Sequence, residues 1–277
     1  MNTFDYNLFN TSLHATSNNL DHFKLLKSVY ERNLFKSENK KLLYKLINLT
    51  KDKNNLIKSQ LYQDIFAVLM VGNNYDKTFL EFGATDGLEL SNTYLLENNC
   101  GWTGVLCEPS PQWHDILKKN RPNTKIVTEC IWNKSNQKLR FFVSDVGVLS
   151  TLEEFKESDK LSIPGNTKLR IEKGNLVTVN TISLNELIEK EFNGKSPSYI
   201  SIDTEGSEYE ILKAFDFKKY YPVCFTIEHN FTNLQKDIDE IMKNHNYLRI
   251  FKEITVFDAW YVRNDVLNEL QKDTSND

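Results

Sequence analysis

The sequence predicts an α/β protein: a seven-stranded, mostly parallel sheet that ends in an antiparallel hairpin, preceded by a helical extension. Three observations carry this. Between residues 78 and 262, short apolar runs alternate with helical stretches, the rhythm of parallel strands joined by crossovers. Only Lys252-Glu253-Ile254 separates the last two runs, too short for a crossover and suited to a hairpin. Ahead of them, apolar residues recur at spacings of three and four from Asp21 to about Met70.

Taken in order, residues 1–20 are polar and read as a loosely held arm. Residues 21–76 form the helical extension, with periodic sets at Phe23, Leu26, Val29 and Tyr30, at Leu42, Leu43, Leu46 and Ile47, and at Leu61, Ile65, Phe66 and Leu69. These helices would cover one face of the main domain or make a homodimer surface. The main domain spans 77–264. Its strands are expected at Thr78–Phe82, Gly104–Glu108, Lys125–Cys130, Tyr199–Asp203, Val223–Glu228, Tyr247–Phe251 and Thr255–Tyr261. Helices are expected near 91–99, 112–120, 183–191, 207–214 and 232–244. Ser110-Pro111 marks one helix start, and Ser183 with Glu186 and Ser207 with Glu210 have capping-box spacing. Lys138–Val143 could add a strand. Residues 144–175, long and rich in turn formers, read as a lid or acceptor loop. Residues 265–277 read as a polar tail.

Composition narrows the function. The chain has 277 residues, 40% hydrophobic and 26% charged, enough for a sizeable core. A formal net charge of -4 makes no electrostatic case for nucleic acid or an anionic membrane. No apolar stretch approaches the roughly 20 residues a membrane helix needs, so membrane insertion is not expected. MNTFDYNLFN is not a basic-then-apolar leader, and Cys100, Cys107, Cys130 and Cys224 form no C-x-x-C pair. A reducing, cytoplasmic setting without disulfides is expected.

In an open α/β sheet, ligands bind beyond the carboxyl ends of the strands. Here those ends carry acids. The first delivers Glu81, then Gly83, Asp86 and Gly87; the second, Glu108; the third, Glu129 and Cys130; the fourth, Asp203 and Glu205; the fifth, Glu228 and His229. Phosphate would call for amides with Lys or Arg, and neither a P-loop nor G-x-G-x-x-G is present. Carboxylates suit hydroxyls, amines and cations. Gly83 fits a close backbone approach or a plain strand-to-helix turn. Glu108, 25 residues on, fits a ribose acceptor or a helix-capping acid. Glu208 reads as a first-turn helix acid.

FLEFGATDGLELSNTYLLE, GVLCEPSPQWHDILKKNRP, YISIDTEGSEYEILKAF and FTIEHN, in this order, resemble the FkbM family of S-adenosylmethionine-dependent methyltransferases over roughly 77–262. The resemblance implies a seven-stranded Rossmann-like methyltransferase sheet and O-methylation of a hydroxyl on a saccharide or small metabolite. By position, Glu81, Gly83, Ala84, Thr85, Asp86 and Gly87 would form the first cofactor motif. Glu108 would hold the ribose; Glu129, Cys130 and Ile131 would flank adenine; Asp203 would face the cofactor and the reacting centre. The family often has Asp where Glu81 stands and Asn where Thr85 stands; both changes keep polarity.

An alcohol nucleophile must lose a proton, so a general base or a divalent cation is useful. His229 is expected as the base and Asp203 as its positioner, with the roles reversible. Mg²⁺ held by Asp203, Glu205 and Glu228 is the alternative. Trp113, Trp132, Tyr199 and Trp260 are expected in the core or on the adenine face. Arg121, Arg140 and Arg170 could meet an acidic substrate, with solvated surface charge as the default. A non-catalytic cofactor- or partner-binding domain stays open, as does an NAD-dependent oxidoreductase. Missing G-x-G-x-x-G and the terminal hairpin weigh against the latter.

Overall fold

The computed structural model describes residues 39–53, 56–172 and 174–273. The polar arm and the periodic set from Phe23 to Tyr30 lie outside them. Among the described residues, two helices, α1 (Lys40–Lys53) and α2 (Gln63–Val71), precede the sheet. Then follow β1 (Thr78–Phe82), α3 (Tyr94–Cys100), β2 (Thr103–Cys107), α4 (His114–Asn120), β3 (Lys125–Val127), β4 (Cys130–Trp132), β5 (Lys138–Ser144) and β6 (Thr151–Leu152). The chain continues through α5 (Pro164–Glu172), β7 (Gly174–Ser183), α6 (Leu184–Glu191), β8 (Tyr199–Ile202), α7 (Glu208–Lys213) and β9 (Cys224–Glu228). It ends with α8 (Leu234–Asn244), β10 (Tyr247–Ile250), β11 (Asp258–Arg263) and α9 (Asn264–Asp273).

The main sheet has seven strands in the order β10-β11-β9-β8-β1-β2-β3. Pairing is parallel from β9 to β3, and β11 runs antiparallel to both neighbours. This is the expected seven-stranded, mostly parallel sheet with its terminal hairpin. Register is what matters for function. Phe82 pairs with Cys107 on one side and Ile202 on the other, and Ile202 pairs with Ile227. The next residue on each strand is Gly83, Glu108, Asp203 or Glu228, so these four lie at one level, Glu228 still paired with Asp258.

Apolar residues cover both faces. On one, α1 and α2 bury Leu42, Leu43, Leu46, Leu61, Ile65 and Phe66 with Phe79, Leu106, Trp260 and Val262. Phe66 stacks on Trp260 with ring centroids 4.8 Å apart. The periodic residues from Leu42 to Leu69 are therefore packed in the core on this face of the sheet. On the other face, Leu80, Phe82, Ile200 and Ile227 pack with Leu187, Ile188, Ile211 and Ile238.

Four expectations need correction. Lys125–Cys130 is not one strand: β3 stays in the main sheet, while β4 pairs with β7 in a second, four-stranded sheet ordered β4-β7-β5-β6. The last strand begins at Asp258, because the chain first closes a turn in which Asp258 N–H donates to the Thr255 carbonyl at 2.7 Å. Residues 265–273 are helical rather than a polar tail: Val266 and Leu267 are buried and Leu270 packs against the same core. Ser207 caps nothing; its hydroxyl donates to Thr204 Oγ1 at 2.8 Å. Ser183 does cap α6, accepting from Glu186 N–H at 3.2 Å. Among the described residues, no helix is long and apolar enough to cross a membrane.

Candidate active site

A cavity opens where β1, β2 and β8 end. Glu81, Gly83, Ala84 and Thr85 line it from β1, Glu108 from β2, Cys130 and Ile131 from β4, and Asp203 and Glu205 from β8. Gly147, Val148, Ser150 and Leu152, from the segment expected to be a lid or acceptor loop, complete the lining.

The first motif divides into two jobs. Gly83 has φ +72°, and a Cβ there would sit 2.1 Å from the Asp203 carbonyl oxygen. The glycine is needed so that two strand ends can touch, a reason within the protein rather than in a ligand. Thr85, at φ +46°, donates its N–H to Glu108 Oε2 at 2.8 Å. Asp86 and Gly87 do not line the cavity. Asp86 Oδ1 accepts from the N–H groups of Leu88 and Glu89, and a Gly87 Cβ would strike Leu117 at 2.5 Å. They turn the chain and seat α4. Glu129 also lies outside the lining.

Glu108 is buried, and its second oxygen accepts from Ser110 N–H at 2.7 Å. Burial outweighs those two bonds and pushes its carboxyl up to about 7. Glu81 is likewise buried and raised by burial, with Arg121 opposing. It accepts from Asn92 N–H at 2.7 Å and from the Ser91 hydroxyl at 3.1 Å, which fixes the loop leaving the motif. That loop puts Asn92 into the lining with its Oδ1 buried and unpartnered.

Beside this cavity, carboxylate oxygens of Asp203, Glu205 and Glu228 lie within 4.8 Å of one another. Asp203 and Glu228 share a hydrogen bond, and burial followed by neighbouring acids raises both carboxyls. Glu205 is raised by burial and by Asp203, with Arg170 opposing. Glu208 holds the intervening turn, its Oε1 accepting from the N–H groups of Thr204 at 2.9 Å and Gly206 at 3.1 Å.

His229 does not line this cavity; it lines a small separate one with Glu208 and Glu228, and its partners speak against the expectation that it is the base. Its Nδ1 accepts from Phe231 N–H at 3.0 Å, and Nε2 faces the Asp258 carbonyl at 3.1 Å and Arg249 Nη2 at 3.1 Å. Burial first, then the Arg249 charge, lowers it to about 4. A neutral ring with both nitrogens engaged braces the β9 turn and has no lone pair to offer a substrate. The arginine expectation also changes: Arg121 and Arg170 are buried, and only Arg140 pairs at the surface, with Glu153. Trp132, Tyr199 and Trp260 are core residues, and Trp113 packs under the lid at Gly147. None lines the cavity.

Sequence reasoning missed Asn92 and Ser150, and gave Arg170 an acidic substrate as its partner rather than Glu205. Asn92 follows the first motif by five residues and could have been taken from its loop. The other two arrive from the lid, where no local signal points back to the strand ends.

Residues 81–249 match the methyltransferase FkbM domain. No curated protein matches the chain at a significant level. Among solved structures, the chain is similar to a precorrin-6y C5,15-methyltransferase from Geobacter metallireducens GS-15, at 12% identity and TM-score 0.38, covering 70% of this chain and 75% of that one. It is also similar to a putative caffeoyl-CoA O-methyltransferase from Staphylococcus aureus, at 12% identity and TM-score 0.41, covering 88% and 100%. Both superpositions are loose, and the fold rests on the strand order itself.

Proposed function

The chain belongs to the FkbM methyltransferase family, and from that premise we propose that it methylates a hydroxyl group on a saccharide or small metabolite, using S-adenosylmethionine. When bound, the cofactor supplies an electrophilic methyl on a sulfonium. The observation that carries the reading is the level set of strand ends, Gly83, Glu108 and Asp203, around one cavity, with Glu228 beside it.

The residues present fit that cofactor. Glu108 keeps a second lone pair on each oxygen for the ribose hydroxyls. Asn92 Oδ1, buried without a partner, is an acceptor for an ammonium group. Ile131, Phe141 and Leu152 give apolar surface for a purine. The acids Glu81 and Asp203 favour positive charge in the same cavity.

Asp203 takes the role first given to His229. It lines the cavity and is hydrogen-bonded to Glu228 at its back. It accepts the hydroxyl proton while Glu228 orients it. A divalent cation on Asp203, Glu205 and Glu228 is the second reading, favoured by their spacing and opposed by Arg170.

A thermal-shift screen with S-adenosylmethionine, its demethylated product, NAD and divalent metals tests the cofactor. Stabilisation by the sulfonium compound and its product is expected; stabilisation by NAD alone would overturn the reading. Incubation with an extracted glycan and metabolite pool, followed by mass spectrometry, should show one added methyl on an oxygen. Methylation only at nitrogen or carbon would refute the hydroxyl acceptor.

A further inference from the structure

The acid cluster has a cation built in. We propose that Arg170 fills the place of a divalent metal beside Asp203, Glu205 and Glu228, so that methyl transfer here needs no metal ion. This rests on the methyltransferase reading and adds how the charge of the site is managed.

Arg170 comes from α5, far along the chain from the strand ends, yet its side chain is fully buried. All five of its N–H donors have acceptors. Nε donates to the Leu149 carbonyl at 2.7 Å. Nη1 donates to the Lys156 carbonyl at 3.0 Å and to Asp159 Oδ1 at 3.0 Å. Nη2 donates to Asp159 Oδ2 at 3.4 Å and to Glu205 Oε2 at 2.7 Å. A guanidinium so fully engaged is a fixed part of the site rather than a mobile surface charge.

It also takes one of the carboxylate oxygens a metal would require. A hard dication needs carboxylate oxygens with free lone pairs converging on one point. Glu205, the most buried of the three acids, already gives one oxygen to Arg170. A second cation beside that guanidinium would meet like charge in a poorly solvated space.

The lid holds Glu205 in place for this contact. Its backbone is left-handed, φ +59°, which a glutamate adopts only under constraint. Its carbonyl accepts from the Thr151 hydroxyl at 3.0 Å and the Ser158 hydroxyl at 3.3 Å. Next to it, a Cβ on Gly206 would meet Ser158 Oγ at 2.7 Å. Thr151, Ser158 and Arg170 therefore grip one residue from three sides. Arg170 is a positioning residue: it touches Glu205 and the lid backbone, and does not line the cofactor cavity.

The test is Mn²⁺ titration of the full chain, read by water-proton relaxation, on wild type, Arg170→Met, Glu205→Gln and the double variant. Wild type should bind no Mn²⁺ with a dissociation constant below about 1 mM. Arg170→Met, with Glu205 freed, should gain one site at least about tenfold tighter, lost again in the double variant. A wild-type site abolished by Glu205→Gln would overturn the proposal. So would a folded Arg170→Met protein that takes up no Mn²⁺. If Arg170→Met does not fold, the wild-type and Glu205→Gln pair still decides. Methyl transfer is not read out, so failure here is separate from failure of the cofactor assignment, which S-adenosylmethionine calorimetry reports.

Discussion

Asp203 leaves β8 at the level of Gly83 and Glu108, and its own carbonyl is what forbids a side chain at Gly83. That contact ties the acid proposed to accept the proton to the motif proposed to hold the cofactor. Asp203→Asn should lower turnover at least about 100-fold while changing S-adenosylmethionine affinity less than about threefold. Initial rates with calorimetry check this; equal losses in both would place Asp203 in binding alone. A base works only when ionised, and burial with neighbouring acids raises this carboxyl. The rate should therefore climb with pH through a midpoint well above the ordinary carboxylate range. Strand-end acids were legible in sequence because a carboxylate is costly to bury, so an apolar run that stops at Asp or Glu marks where the strand leaves the core. The direction of a side chain past the strand end was not. His229 follows Glu228 by one residue, yet its ring turns into the Asp258 carbonyl and Arg249.

The elements differ in how far backbone packing constrains them. At Gly83 a Cβ would meet a backbone oxygen at 2.1 Å, while at Gly101, with nearly the same φ of +71°, nothing lies within 4 Å. Gly101→Ala should cost about 1 kcal/mol, the penalty of the left-handed backbone alone. Gly83→Ala should cost at least about 2 kcal/mol more, because strand β8 must move. Urea unfolding of the two variants decides; equal losses would mean that the strand ends separate freely. The parallel strands were readable from sequence because they are buried on both faces and so apolar throughout. Of the second sheet only β5 was, as the extra strand expected at Lys138–Val143. In β7 only Val179, Thr181 and Ile182 are buried. A half-exposed strand with so few inward residues shows no apolar run. Its partner lies some thirty residues away, across the lid. Arg170 was hidden for the same reason: an arginine in a charged segment looks solvated until the fold brings Asp159 and Glu205 to it.

At the scale of the molecule, one side of the sheet gathers buried carboxyls, and this sets how stability depends on pH. Burial raises Asp64, Glu108 and Asp258 to about 7 each. Unfolded, these groups lose their protons near 4, so between about 4 and 7 the native state holds more protons. Stability must fall as pH rises through that window. His229, lowered to about 4, acts oppositely: the native state holds fewer protons between about 4 and 6.5, and that stability is lost on acidification. Three acids against one imidazole make the acids win. The apo protein should melt at least about 5 °C lower at pH 8 than at pH 5.5. Differential scanning fluorimetry across that range checks it, and a melting temperature rising toward pH 8 would contradict it.

Acids also line the cavity proposed for the cofactor, and Glu108 is where the two should meet. Calorimetric titration of S-adenosylmethionine into wild type and Glu108→Ala tests this most directly. Binding at one site per chain is predicted for wild type, with affinity at least about tenfold weaker in the variant, the loss of roughly one charge-assisted hydrogen bond. No binding by wild type, or wild-type affinity in a folded Glu108→Ala protein, would contradict the assignment of this cavity to the cofactor.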